Sequence, residues 1–74
     1  DLIQIRFTMT QSEPVVIELS DANGKLVKLL YSDTPKTGEN KLTFNKGVLS
    51  PGTYIVSIRS TTQILRNEKL VILD

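Results

Sequence analysis

The side chains that could do chemistry in this 74-residue chain are few, and the most notable is Tyr54. It lies in the segment LSPGTYIVSIRS, where Pro51 and Gly52 precede a run of alternating residues. A catalytic tyrosine needs an adjacent base or a cofactor, and the segment offers neither. In Greek-key sandwiches a tyrosine near the start of a late strand commonly bonds its hydroxyl to backbone at the preceding corner. We therefore predict a structural role for Tyr54, with Pro51 setting the turn and Gly52 supplying a positive φ.

A second candidate is the segment DANG, residues 21–24. Asp21 and Asn23 have the spacing of the first oxygen ligands in a calcium-binding loop, and Gly24 follows at a bend. Lys25 and the two apolar residues after it stand where further ligands would be needed. A hairpin turn is the better interpretation of this segment.

Composition excludes most other chemistry. The chain has no cysteine and no histidine, so disulfides, the commonest zinc and copper sites, and Ser-His or Cys-His nucleophiles are absent from it. Glu13 with Glu18 and Glu39 with Glu68 are the candidate carboxylate pairs, but each residue lies on a polar face or turn. The sequence predicts a domain without catalytic residues, metal, cofactor or small-molecule substrate.

The charge pattern also limits the partners. Nine basic and eight acidic residues are spread along the chain, so neither a nucleic-acid-binding patch nor a polybasic membrane anchor is present. No apolar run approaches the roughly 20 residues that span a bilayer. We expect residues 1–74 to form one domain with a thin core, as a fragment of a longer protein.

The elements that must position these residues are strands, because the hydrophobic period is two almost throughout. A polar interval at residues 32–40 predicts a loop long enough to cross between sheets. Short strands with turns at intervals of roughly 8 to 12 residues predict an all-β fold, an immunoglobulin-like antiparallel β-sandwich of six to seven strands, with a small barrel as the alternative. The residues predicted to face the core are Ile3, Ile5, Phe7, Met9, Val15, Ile17, Leu19, Val27, Leu29, Tyr31, Leu42, Phe44, Tyr54, Val56 and Ile58.

The end of the chain, RNEKLVILD, places four apolar residues, 70–73, directly after a charged group. A continuous apolar strand needs cover on both faces, from its own sandwich or from a partner. One interpretation is a buried closing strand. The other is a strand that another protein recognises by edge pairing or by docking its apolar side chains, and the two are compatible. The same edge also allows a homodimer.

The order and spacing of four segments resembles the type A C-terminal sorting domains of the type IX secretion system. The segments are LIQIRFTM, DANGKLVK, LSPGTYIVSI and EKLVIL, and together they cover nearly the whole chain. The positions that match the family's motifs are Asp21, Gly24, Lys25, Val27, Leu49, Gly52, Tyr54, Lys69, Leu70 and Val71.

The resemblance implies a signal rather than an activity. Family members are seven-stranded immunoglobulin-like sandwiches at the C terminus of cargo that has reached the periplasm, and the outer-membrane translocon recognises them. A sortase-like protease then removes most of them, and the cargo is attached at the cell surface or secreted. Because the last strands of the family carry much of the sorting information, the resemblance makes the recognition candidates Lys69, Leu70, Val71, Ile72 and Leu73.

Two other functions stay open at this point. A structural immunoglobulin-like or fibronectin-like spacer of a multidomain surface protein fits the same strand pattern. A carbohydrate-binding module would need at least two exposed aromatic residues, and only Tyr31 is not clearly inward. We rank the sorting function first and the spacer second.

Overall fold

The computed structural model describes residues 2–47 and 49–73, which form six antiparallel strands. β1 and β4 make a two-stranded sheet, and the second sheet has the order β3-β2-β5-β6. The strands are β1 Leu2–Met9, β2 Val15–Asp21, β3 Leu26–Asp33, β4 Gly38–Asn45, β5 Gly52–Ser60 and β6 Ile64–Ile72. No helix among the described residues is long and apolar enough to cross a membrane.

The core lies between the two sheets, where the alternating apolar side chains meet. Leu42 and Phe44 of β4 are partly buried and pack against it. The prediction of an all-β antiparallel sandwich is therefore confirmed, with six strands in two separate sheets rather than a barrel. The buried apolar residues are Ile5, Phe7, Met9, Val15, Ile17, Leu19, Tyr54, Val56, Ile58 and Ile72.

The chain changes sheet three times, after β1, after β3 and after β4. The crossing after β3 uses residues 34–37, which is shorter than the predicted loop because both flanking strands extend into the polar interval. Consecutive strands within the larger sheet, β2 with β3 and β5 with β6, are joined as hairpins. This connectivity places β5 in the interior of the sheet and leaves β6 at its edge.

The prediction for the inward face of β3 is wrong in part. Val27 and Leu29 are exposed, whereas Tyr31 and its neighbour Leu30 pack against the core. The ladder between β2 and β3 shifts register twice, and each shift leaves an extra residue in β3. A β-bulge of this kind transfers the following side chains to the opposite face of the strand. Simple alternation therefore assigned Leu29 to the wrong side.

Candidate functional site

β6 is an edge strand of the larger sheet. On one side it pairs with β5 in unbroken register from Ile58↔Arg66 to Gly52↔Ile72. No described strand pairs with its other side. An edge strand leaves backbone N–H and C=O groups free to pair with another chain. The C-terminal half of β6 is therefore a regular, unprotected edge.

The recognition candidates from the sequence divide between the two faces of β6. Ile72 is buried with 4% exposure, and Leu70 packs against the core. Val71 is 52% exposed, Leu73 is 72% exposed, and Lys69 is exposed on the outer face with Val71. The predicted cover on both faces of this apolar run is thus supplied on one face only. Val71 and Leu73 have no cover from the described part of the sandwich.

The opposite edge of the larger sheet, β3, has a different character. Its exposed apolar residues Leu26, Val27 and Leu29 lie on a strand that two bulges interrupt. Bulges twist an edge and break its regular spacing of donors and acceptors, so they discourage pairing with a further strand. Lys28 adds a charge between these apolar residues. Of the two edges of this sheet, β6 is the one suited to strand addition.

The motif residues form a row beside the end of β6. Tyr54 is the register partner of Asp21 on β2 and of Leu70 on β6. Gly52, which has a φ of 156°, is paired with Ile72. Two motifs that lie far apart in the sequence therefore adjoin each other, and the second of them pairs with the strand that carries the recognition candidates. The sequence predicted each motif but did not predict that they adjoin.

Tyr54 has the predicted structural role. Its ring is buried in the core, and its hydroxyl donates a hydrogen bond of 2.6 Å to the backbone oxygen of Ser50. The ring packs against apolar side chains while the hydroxyl bonds to backbone, so both parts of the side chain stabilise the corner before β5. This bond anchors the strand to which β6 pairs.

The hairpin interpretation of residues 21–25 is confirmed. The amide of Gly24 donates to the Asp21 backbone oxygen at 3.0 Å, and Gly24 has a φ of 85°. The Asp21 Oδ1 atom accepts bonds from the amides of Asn23 at 2.9 Å and Lys25 at 3.0 Å. Since that oxygen is occupied by the turn itself, the segment uses its calcium-like residues to close a hairpin.

The other polar candidates are held by local partners. Glu18 forms an ion pair with Arg59 on the adjacent strand, and Nε of Arg66 lies 3.0 Å from Oε1 of Glu68. Partial burial raises the pKa of Tyr31 above its usual value, and the Asp33 carboxylate raises it further. Within residues 2–47 and 49–73, no three acidic side chains gather as a metal site.

The aromatic side chains do not form a sugar-binding platform. Tyr31 meets Phe7 edge to face, with ring centroids 6.2 Å apart and an interplanar angle of 65°. Phe7 and Tyr54 are buried and Phe44 is half-buried. Carbohydrate stacking requires exposed aromatic faces, so the geometry gives this alternative no support.

A feature that sequence reasoning missed is a contact between the two sheets. An Nη atom of Arg66 on β6 donates a 2.7 Å hydrogen bond to the backbone oxygen of Arg6 on β1. These residues are separated by 60 positions, and no local pattern connects them. Only the packing of the sheets brings them together.

Comparison with known protein families gives a match that covers nearly the whole chain. The family model described as a secretion system C-terminal sorting domain matches residues 1–73, essentially the whole chain. No curated protein and no solved structure matches significantly. Because the match covers the strands, both motif segments and β6, this chain belongs to the C-terminal sorting domains, the signals that direct proteins into type IX secretion.

Proposed function

We propose that the secretion machinery recognises this sorting domain through the free edge of β6, at Lys69, Leu70, Val71, Ile72 and Leu73. A type IX sorting signal interacts with that machinery, and the protein that carries it reaches the cell surface or is secreted. In the proposed route, residues 1–74 are the C-terminal domain of an exported passenger. The passenger crosses the periplasm, meets the translocon and is then handled by sortase-like surface machinery.

The observation that carries the proposal is the uncovered end of β6. Val71 and Leu73 expose 52% and 72% of their surface beside a backbone edge with no strand neighbour among the described residues. When a strand is added to such an edge, main-chain hydrogen bonds contribute affinity and alternate side chains contribute selectivity. Val71 and Lys69 share one face, while Leu70 and Ile72 fix the strand to the core.

In this proposal the outer face of β6 binds the partner and the inner face stabilises the fold. The residues that pack inward hold the strand in register with β5, and their loss would disturb the sandwich. The outward residues contribute little to the core, since their side chains remain in solvent. A partner that reads Lys69, Val71 and Leu73 can therefore bind without unfolding the domain.

Pairing of two copies through the same edge is the competing use of β6. A symmetric dimer would cover Val71 with its own counterpart, because an isologous interface uses the same surface patch on both subunits. Such a dimer would compete with recognition by the translocon. The mass of the domain in solution, measured over a range of concentrations, separates these two uses.

The test is a fusion of residues 1–74 to the C terminus of a signal-peptide-bearing reporter in a bacterium with an intact type IX system. We expect Val71→Asp with Leu73→Asp to strand the reporter in the periplasm. The matched control is Leu26→Asp with Leu29→Asp, which places the same charges at exposed apolar positions on the β3 edge. This control should still be exported, and reporter mass will show whether the domain is removed.

The folded state of each variant is checked by circular dichroism and urea denaturation of the purified domain. A β6 variant that is folded and exported normally would contradict the proposal. Equal loss of export in the β3 control would also contradict it, because recognition would then not be specific to the β6 edge. Export that persists when the type IX system is disabled would show that the fused domain does not direct the reporter into type IX secretion.

A further inference from the structure

A groove runs between β1 of the smaller sheet and β6 of the larger sheet. It exists because, among the described residues, β1 pairs with β4 on one side and no strand pairs with the side of β1 that faces β6. Apolar side chains from both sheets line its base, namely Ile3, Ile5, Val56, Ile58 and Leu70. An extended chain laid in this groove would cover apolar surface and meet a free strand edge at the same time.

Arg66 spans the groove and is incompletely satisfied. Its Nη atom donates a hydrogen bond to the backbone oxygen of Arg6. In the interior of a sheet, a backbone N–H of the neighbouring strand would normally donate to such an oxygen. Its Nε atom lies 3.0 Å from Glu68, yet it is buried and has no hydrogen-bond acceptor among the described residues. The N–H therefore contributes to an ion pair but does not point at the carboxylate. A buried donor without an acceptor is costly, so a ligand oxygen placed there would be favoured.

The charge of the lining specifies the ligand further. Arg6, Arg66 and Lys69 line the groove with a single acidic residue, Glu68. Guanidinium groups bind carboxylates with two parallel, charge-assisted hydrogen bonds. The lining thus holds three basic residues and one acidic residue, and this excess of positive charge favours an anionic ligand. The apolar base additionally favours a chain in which apolar residues alternate with acidic ones.

We propose that the β1–β6 groove binds an extended acidic segment of a partner protein, which adds to the free edge of β1 as a third strand of the smaller sheet. Apolar side chains of the segment contact the base of the groove. A carboxylate on its other face replaces Glu68 as the partner of Arg66, and a backbone amide replaces Arg66 at the Arg6 oxygen. This site shares Lys69 and Leu70 with the β6 edge, but its strand pairing is with β1 rather than with β6.

The experiment is a titration of the isotope-labelled 74-residue chain with a capped seven-residue peptide of alternating valine and glutamate, followed by amide NMR. We expect saturable shifts at residues 2–9 and 66–70 that weaken as sodium chloride is added. Arg66→Gln should weaken binding by about tenfold, the loss of one charged hydrogen-bonding partner. Arg66→Lys should retain part of the affinity, and Lys28→Gln on the β3 edge should retain all of it.

A matched peptide of valine and lysine is the charge control. Equal binding of the two peptides would overturn the proposal, as would shifts confined to the outer face of β6 or to β3. Absence of binding by the acidic peptide at millimolar concentration would overturn it as well. Concentration-dependent shifts at residues 2–9 without peptide would identify a second copy as the occupant and reject the acidic partner. If the Arg66→Gln variant loses the dispersed amide spectrum of a folded protein, the salt titration of the unmodified chain provides the test of charge instead.

Discussion

Tyr54 and Leu70 are register partners on β5 and β6, and the Tyr54 hydroxyl is bonded to the backbone oxygen of Ser50 at 2.6 Å. The corner before β5 is thus connected directly to the strand that carries the recognition candidates. Anything that loosens this corner also loosens the pairing partner of β6.

Removing the Tyr54 hydroxyl should destabilise the domain without emptying the core. We expect Tyr54→Phe to lower the free energy of unfolding by about 1 kcal/mol, because the ring stays buried but the Ser50 oxygen loses its donor. Urea denaturation measures the change. Tyr31→Phe is the control, since the Tyr31 hydroxyl makes no hydrogen bond to the described residues, and it should cost less. A loss at Tyr54 no larger than at Tyr31 would contradict the anchoring role.

The Asp21 side chain should matter through its acceptor oxygen rather than its charge. Its Oδ1 atom accepts two backbone amides in the β2–β3 hairpin. We expect Asp21→Ala to reduce the free energy of unfolding by about 1 to 2 kcal/mol. Asp21→Asn keeps an oxygen in the same position and should retain most of the stability. Equal losses in the two variants, measured by thermal or urea unfolding, would show that charge dominates.

Neighbouring residues of β6 should respond very differently to truncation. Ile72 is 4% exposed and belongs to the core, so Ile72→Ala should cost about 2 to 4 kcal/mol. Val71 is half-exposed on the outer face, and Val71→Ala should change the free energy of unfolding by less than about 0.5 kcal/mol. Chemical denaturation of both variants tests this contrast. Similar values would mean that the described faces of β6 are assigned incorrectly.

Stability should fall in alkaline solution through Tyr31. Its pKa is raised in the folded protein above the ordinary value of 10.0, first by burial and then by Asp33. The folded state therefore holds this proton more tightly than the unfolded state does. The resulting stabilisation is complete below pH 10 and is lost as the pH rises through the folded-state pKa.

The absorbance of tyrosinate measures this titration, and the Tyr54→Phe variant leaves Tyr31 as the sole tyrosine. We expect its midpoint above that of free tyrosine, and Asp33→Asn should lower the midpoint because it removes the neighbouring negative charge. A midpoint at or below the free value would refute the prediction. Tyr31→Phe should remove this part of the alkaline loss of stability.

Local patterns predicted much of the sandwich correctly. In β1, β2 and β5 alternation is uninterrupted, and the inward side chains that it identifies are buried, except that Ile3 is partly exposed. The residue types at the turns also identified the hairpin at Gly24 and the corner at Tyr54. An Asn-Gly pair is typical of a tight hairpin, and a tyrosine near the start of a late strand is typical of a corner that its hydroxyl closes.

The remainder depends on contacts between distant segments. The bulges of β3 arise from how its residues fit against β2, so its alternating letters gave the wrong face for Leu29. Whether a strand lies at an edge depends on sheet order, which no single segment encodes. Residues 69–73 could be proposed for recognition because they form one continuous segment. The Arg66–Arg6 contact joins two distant segments, so no local pattern indicated it.

The unequal edges of the larger sheet also bear on how copies of the domain behave when they are crowded. If β3 were as regular as the part of β6 from Arg66 to Ile72, the β6 edge of one copy could pair with the β3 edge of the next. Such a head-to-tail contact can continue from copy to copy, and it builds an open fibre when successive copies do not close into a ring. The two bulges in β3 remove one of the two ends that such growth requires. A sorting domain can thus keep one strand edge free for pairing without forming head-to-tail polymers.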